Sequence, residues 1–178
     1  MKLRDIYNNQ LTLPLQKSNF YNVNSAPSKI IKDRGRQSIT FNVMPDRDVS
    51  ENVQVKEYRI WDNAIEAIFD RDYKTDMVNS PDHLTFLSSL VNLQKMVYVF
   101  MHEYLSIEYA PCKKESIKVW PGKLFIDMPK MVLKSKNISH LMIIKSVQKI
   151  KHNRYKVSAS TRVDGKVTIS GEALIIVL

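Results

Sequence analysis

The chain has 178 residues, of which 44% are hydrophobic and 25% charged, with a formal net charge of +9. That length matches about one domain and the balance is that of a globular protein with one sizeable core; it excludes disorder along the whole chain, a repeat or collagen-like architecture, and a disulfide-stapled scaffold, since Cys112 is the only cysteine. Met1–Asp5 leads into no apolar signal segment, and the longest apolar stretch, Leu84–Leu105, is broken by Ser88, Asn92, Gln94, Lys95 and Glu103, too polar to span a bilayer, so a cytoplasmic protein with no membrane partner is expected.

Residues 1–38 hold Asn8, Asn9, Pro14, Asn22, Asn24, Pro27 and Gly35 and show no sustained period. They read as an irregular N-terminal extension, with a single domain over 39–178. Gln37–Met44 reads as a strand. Val53–Trp61 and Ala64–Phe69 read as a hairpin around the turn pair Asp62-Asn63.

Asn79-Ser80-Pro81-Asp82 has the chemistry of a helix start, with Ser80 as N-cap, Pro81 at the first helical position and Asp82 at the positive end of the dipole. The spacing predicts a helix from there to about Leu105. One apolar stripe is Leu84, Leu87, Val91, Gln94, Tyr98, Met101 and Leu105; a second is Phe86, Leu90, Leu93, Val97 and Phe100. A helix so apolar is expected to be surrounded by protein on most sides.

Ser106–Gly122 reads as a turn-rich link. Lys130–Lys136 is a candidate strand, and Leu141–Ile150 a further one ending at the turn Lys151-His152-Asn153. Tyr155, Val157, Ala159, Thr161 and Val163 alternate with polar residues, and Asp164-Gly165 is a strong hairpin turn into Val167, Ile169, Gly171, Ala173, Ile175 and Val177. The predicted order is hairpin, one long helix, long antiparallel meander, which makes an α+β layer of one helix against one sheet. One helix cannot shield both edges of such a sheet, so a homodimer or higher oligomer is expected.

That order resembles the layout of the hotdog fold. Asp82-His83-Leu84-Thr85, the run Asn92-Leu93-Gln94-Lys95-Met96-Val97-Tyr98, and Asp164-Gly165 with Ser170-Gly171-Glu172-Ala173 resemble the FcoT-type long-chain acyl-CoA thioesterases over roughly residues 50–178. The family shows Gly-His-Phe-Asn at the first site and an Asn-Gln pair with a Tyr four residues after that Asn at the second. His83 and Tyr98 match by identity, Gln94 and Thr85 each stand where the family has Asn, and Tyr73 is the nearest candidate for the family's upstream Tyr. The resemblance implies an acyl thioester substrate, carried on coenzyme A or an acyl carrier protein, with no cofactor beyond the pantetheine arm of the substrate, and hydrolysis in fatty-acid-derived or secondary-metabolite biosynthesis.

The residues themselves point the same way. Gln94 and Tyr98 lie at i and i+4 in an apolar stripe, and a buried amide and phenol need polar partners, a thioester carbonyl or an attacking water among them. His83 near the helix start can serve as a neutral base, and the first-turn amides around His83–Thr85 can polarise a thioester oxygen. The expected catalytic set is His83, Thr85, Gln94 and Tyr98, and the expected substrate contacts are Tyr73, Asp82, Leu84 and Val91. From Ala110 to Lys156 twelve Lys/Arg stand against two acids, Glu115 and Asp127, and Lys113, Lys114 and Lys118 are the candidates for holding coenzyme A phosphates. Nucleic acid is disfavoured as a partner because the meander offers few aromatics, Phe125 and Tyr155, for base stacking.

His102 and Glu103 are expected at the solvent face of the helix end, and His140 and His152 as structural or exposed. Cys112 has cationic neighbours and no readable base. No Cys/His set has metal-ligand spacing, so no metal is expected. The middle of the helix carries no carboxylate, unlike many hotdog thioesterases and dehydratases. Two alternatives remain: a dehydratase or conjugate-addition enzyme on β-hydroxy or enoyl thioesters, and a non-catalytic basic binding module.

Overall fold

The computed structural model describes residues 25–33, 36–44, 47–79, 82–109 and 115–178. Its elements are β1 (Lys29–Lys32), β2 (Arg36–Met44), β3 (Arg47–Trp61), β4 (Ala64–Thr75), α1 (Phe86–Tyr104), β5 (Ile117–Asp127), β6 (Ile138–Lys151), β7 (Arg154–Val163) and β8 (Val167–Val177). The eight strands among the described residues form one sheet, seven in the order β1-β3-β4-β6-β7-β8-β5 and β2 off that path against β3, every pairing antiparallel. β1 pairs with residues 57–60 of β3 and β2 with residues 47–54, so the two share one edge of β3. The helix packs on β3 and β4 toward one end of this order and on β5 at the other, so the sheet curls around it. The α+β layer read from the sequence is the observed architecture.

Period-2 alternation places the core. Val49, Val53 and Val55 of β3, Ile65, Ala67 and Phe69 of β4, Ile138 and Met142 of β6, and Ile169 and Ile175 of β8 face inward and are buried with Met96, Val99, Phe100 and Met101 of the helix. The hairpin turns fall where turn chemistry puts them. Asp62-Asn63 joins β3 to β4, and Asp164 (φ 45°) and Gly165 (φ 70°) join β7 to β8 with the two left-handed residues of a type I′ turn.

Four expectations change. The extension is not wholly irregular: residues 29–32 form β1 and 36–38 open β2, while residues 1–24, which include most of the proposed extension, lie outside the described residues. The helix begins at Phe86, not near Ser80-Pro81, a pair outside the described residues. Thr85 is the N-cap: its backbone is extended (ψ 153°) and its side chain accepts from the Ser88 amide at 3.2 Å. Leu84 N–H donates instead to the Val132 carbonyl and Thr85 N–H to the Glu51 carboxylate, which holds 84–85 against the sheet rather than in a helical turn. At the other end Ser106 (φ 55°) donates to the Glu103 carbonyl and Ile107 to the His102 carbonyl, a Schellman closure.

The supposed link 106–122 contains the start of β5. Pro121 is tolerated there because β5 is an edge strand and its pairing with β8 shifts register between Pro121 and Leu124. Conversely Lys130–Lys136 is not a strand. It is an irregular strap whose backbone takes the Leu84 amide at Val132 and the Arg71 amide at Ser135, with the Val132 side chain buried.

At the β5 shift the chain comes so close that a Cβ on Gly171 would lie 2.1 Å from the Lys123 carbonyl oxygen. Because that obstacle is backbone, Gly171→Ala is expected to detach part of β5 from β8. Amide hydrogen exchange checks this: faster exchange at residues 124–127 is the expected outcome.

Candidate functional site

The inward faces of β5, β7 and β8 meet in register. Pro121, Ala173 and Val157 form one cross-strand row, Leu124, Gly171 and Ala159 the next. Across from them the helix presents Leu87, Leu90, Val91, Gln94 and Val97. Because Ala159, Gly171 and Ala173 are small, sheet and helix do not close on one another, and a groove of about 250 Å³ remains. An apolar cavity of about 150 Å³ already takes up benzene, so this space is large enough for an aliphatic ligand. The groove is open on one side, where Leu87 and Val91 are 39% and 36% exposed.

Four polar residues, Gln94, Thr161, Ser170 and Glu172, are among its lining. Gln94, exposed, donates from Nε2 to the Val119 carbonyl at 3.3 Å. Thr161 lines the floor and is 1% exposed. Behind Thr161 is a buried chain of hydrogen bonds from three elements: Asn92 Nδ2 of the helix lies 3.1 Å from His140 Nδ1 of β6, and His140 Nε2 lies 3.1 Å from Thr161 Oγ1 of β7. Asn92 and His140 are fully buried, and Asn92 Oδ1 has no partner among the described residues. Burial without a counter-charge pushes the His140 imidazole down to about 3, so it is neutral near pH 7. Asn92 Nδ2 can only donate, so His140 Nδ1 accepts, Nε2 carries the proton, and Thr161 Oγ1 accepts from it.

A second polar cluster surrounds the helix start. Glu51 and Arg71 occupy inward positions of β3 and β4, diagonal to one another, with fully buried side chains. The Glu51 carboxylate accepts from Thr85 N–H (3.1 Å) and Oγ1 (2.6 Å) and lies 3.4 Å from Arg71 Nη1. Arg71 also pairs with Asp82 at 2.7 Å and donates to the Lys134 carbonyl at 3.0 Å. The Tyr73 ring lies 6.0 Å from His83 and beside the Arg71 guanidinium.

The expected site residues therefore divide among four places. Val91 and Gln94 face the groove, with Lys118 exposed on β5 next to Val119. Tyr73, Asp82, His83 and Thr85 gather at the helix start, about 12 Å along the axis from Gln94 by the rise of the helix. Leu84 is buried in the core. Tyr98, one turn beyond Gln94, packs its ring against His102 (4.2 Å) and Tyr109 (6.1 Å). Lys113, Lys114 and Cys112 lie outside the described residues.

His102 is not at the solvent face: it is 2% exposed, held by the Tyr98 carbonyl and Ser116 Oγ at 2.8 Å each. Glu103 is exposed and pairs with Lys29. Nearby, Asp33 pairs with Lys95 at 2.8 Å and accepts from Tyr109, and burial pushes the Tyr58 phenol beside them upward.

The sequence reading missed Glu51, Arg71, Asn92, Thr161 and the small-residue rows as site features. The available signal was phase: Glu51 and Arg71 continue the apolar alternations Val49…Val53 and Ile65…Phe69, and Ala159, Gly171 and Ala173 are the smallest members of theirs.

No helix among the described residues is long and apolar enough to cross a membrane. No protein family and no curated protein matches the chain. Among solved structures, a mutant thioesterase from Pseudomonas aeruginosa is similar at 10% identity with a TM-score of 0.44, over 71% of this chain and 82% of that one.

Proposed function

We propose that the chain is a hotdog-type hydrolase of acyl thioesters whose acyl chain lies in the groove between α1 and strands β5, β7 and β8. The observation that supports this reading is the groove itself: a long apolar trough, kept open by Ala159, Gly171 and Ala173, with an exposed amide at Gln94. The thioester sits at the Gln94 end, and Lys113, Lys114 and Lys118, the last on the outer face of β5 beside Val119, are proposed to hold the phosphates of coenzyme A or of a carrier-protein pantetheine arm outside the groove. The open side, with Phe86, Leu87 and Val91 exposed, is where a second copy of the chain completes the trough.

In hydrolysis a water adds to the thioester carbon, the carbon–sulfur bond breaks, and the sulfur leaves with a proton as the free thiol. Gln94 offers an amide donor and an acceptor to hold that water or the carbonyl oxygen, and Tyr98 lies one turn beyond on the same stripe. His83 and Thr85 are too far along the helix axis to act on the same carbon and serve the helix start in this reading.

Mass spectrometry of the protein with saturated, enoyl and β-hydroxy acyl-CoA and acyl-carrier-protein thioesters tests this. Free acid from saturated chains is the expected product. Ala173→Leu, which fills the trough without touching Gln94, is expected to abolish turnover of long chains with folding intact, and Gln94→Ala to lower kcat by about a hundredfold. Unchanged turnover in Ala173→Leu would sink the groove as the acyl site. Gain or loss of one water with the thioester intact would move the protein to the dehydratase class.

A second reading has one observation in its favour. The β6–β7 hairpin, Ile138–Val163, carries Lys145, Lys149, Lys151, Arg154, Lys156 and Arg162 and no acid, a surface suited to an acidic binding partner. Binding that disappears with salt, without turnover of any thioester, is its signature.

A further inference from the structure

From the hydrogen-bond order along Asn92, His140 and Thr161 we infer that the groove floor reads an oxygen atom on the acyl chain, so that the substrate is an oxygenated (hydroxy- or oxo-) acyl chain rather than a plain one. The inference rests on the acyl groove proposed above and adds the class of chain it takes.

Thr161 Oγ1 accepts the proton on His140 Nε2 at 3.1 Å, and His140 in turn accepts from Asn92 at 3.1 Å. An acceptor hydroxyl keeps its own proton, and no acceptor for that proton is found among the described residues. A buried donor with nothing to donate to is destabilising, and the residue that carries it lines the floor of a mostly apolar groove. A ligand oxygen answers that donor; a methylene does not.

The oxygen is not the thioester's. Gln94 marks the row of Val119 and Ile175, and Thr161 pairs with Ile169, three inward rows farther along β8, about 20 Å by the rise of a strand. A chain with its thioester at Gln94 therefore reaches Thr161 at a distal carbon. The whole relay comes from three elements that packing holds rigidly, which fixes the donor at one depth and makes the preference depend on chain length.

The experiment measures binding of non-hydrolysable acyl-CoA analogues, from decanoyl to octadecanoyl, each with and without an ω-hydroxyl. The native protein is expected to favour the hydroxylated chain by about tenfold at one or two lengths and not at others. In Thr161→Val that ratio falls to about one, and Thr161→Ser restores it; a merely structural threonine would change both affinities together and leave the ratio standing. Nitrogen NMR of His140 is expected to show the Nε2–H tautomer. A native ratio near one at every length, a preference that survives Thr161→Val, or an Nδ1–H tautomer (which makes Thr161 the donor to His140) would each overturn the inference while leaving the groove in place. Failure of every analogue to bind would instead remove the acyl groove, and this inference with it.

Discussion

Arg71→Ala is expected to lower the stability of the fold by about 3–5 kcal/mol, the cost of removing one partner of a buried ion pair. The Arg71 side chain is fully buried and reaches Glu51, Asp82 and the Lys134 carbonyl, so it joins β3, β4, the strap 130–136 and the approach to the helix. Alanine leaves the Glu51 carboxylate in the core with only its two hydrogen bonds from Thr85, and Thr85 is also the N-cap of α1. The loss therefore combines an uncompensated charge with a weakened helix start. Urea unfolding checks it, with the midpoint expected to fall at unchanged slope. The double change Glu51→Met, Arg71→Met is expected to recover part of the stability: it removes the uncompensated charge but leaves the Thr85 amide and hydroxyl without their acceptor. A single Arg71→Ala within 1 kcal/mol of the native protein would show that the pair is not what anchors the strap.

The second large effect is acid lability. His140 is neutral when folded, with its titration pushed down to about 3, whereas in the unfolded chain it takes a proton near 6.5. Between those values the unfolded state binds one proton more than the folded state, so stability rises with pH across the window and is lost as pH falls. At about 1.4 kcal/mol per pH unit the loss approaches 5 kcal/mol by pH 3. The groups that touch the imidazole, Asn92 and Thr161, are neutral and offer it no counter-charge. Replacing His140 by Gln lowers stability at pH 7 through the broken relay but removes this proton uptake. The slope of unfolding free energy against pH between 6 and 4 is therefore expected to be smaller in His140→Gln than in the native chain. Equal slopes would mean that the imidazole is protonated in the fold.

How far the sequence carries is best seen in pairs of residues. Asp164-Gly165 announces a left-handed turn because few other residue pairs adopt one cheaply, and the turn is there. Ser80-Pro81-Asp82 announces a helix just as plainly, yet α1 begins at Phe86, because Val132 and Glu51 compete for the Leu84 and Thr85 amides. Val119 and Pro121 looked like part of a link because a proline interrupts them; an edge strand accepts that proline once β8 lies alongside on its other positions. Gln94 and Tyr98 share a helix stripe, but the groove meets Gln94 while His102 and Tyr109 take the Tyr98 ring.

What the sequence by itself determined is local: the alternating strands and their turns, one apolar helix, the α+β layer they imply, and a surplus of positive charge after Ala110. Each follows from a period or a turn residue acting over a few neighbours. What only the tertiary structure decided is register and depth. It stacked Ala159, Gly171 and Ala173 opposite Leu87 and Val91 to leave a trough, set Glu51 diagonal to Arg71 inside the core, and brought Asn92, His140 and Thr161 from positions 21 to 69 residues apart into one buried relay. Those encounters depend on how a curled sheet aligns its strands, and alternation tells which face a side chain takes without telling what waits across from it.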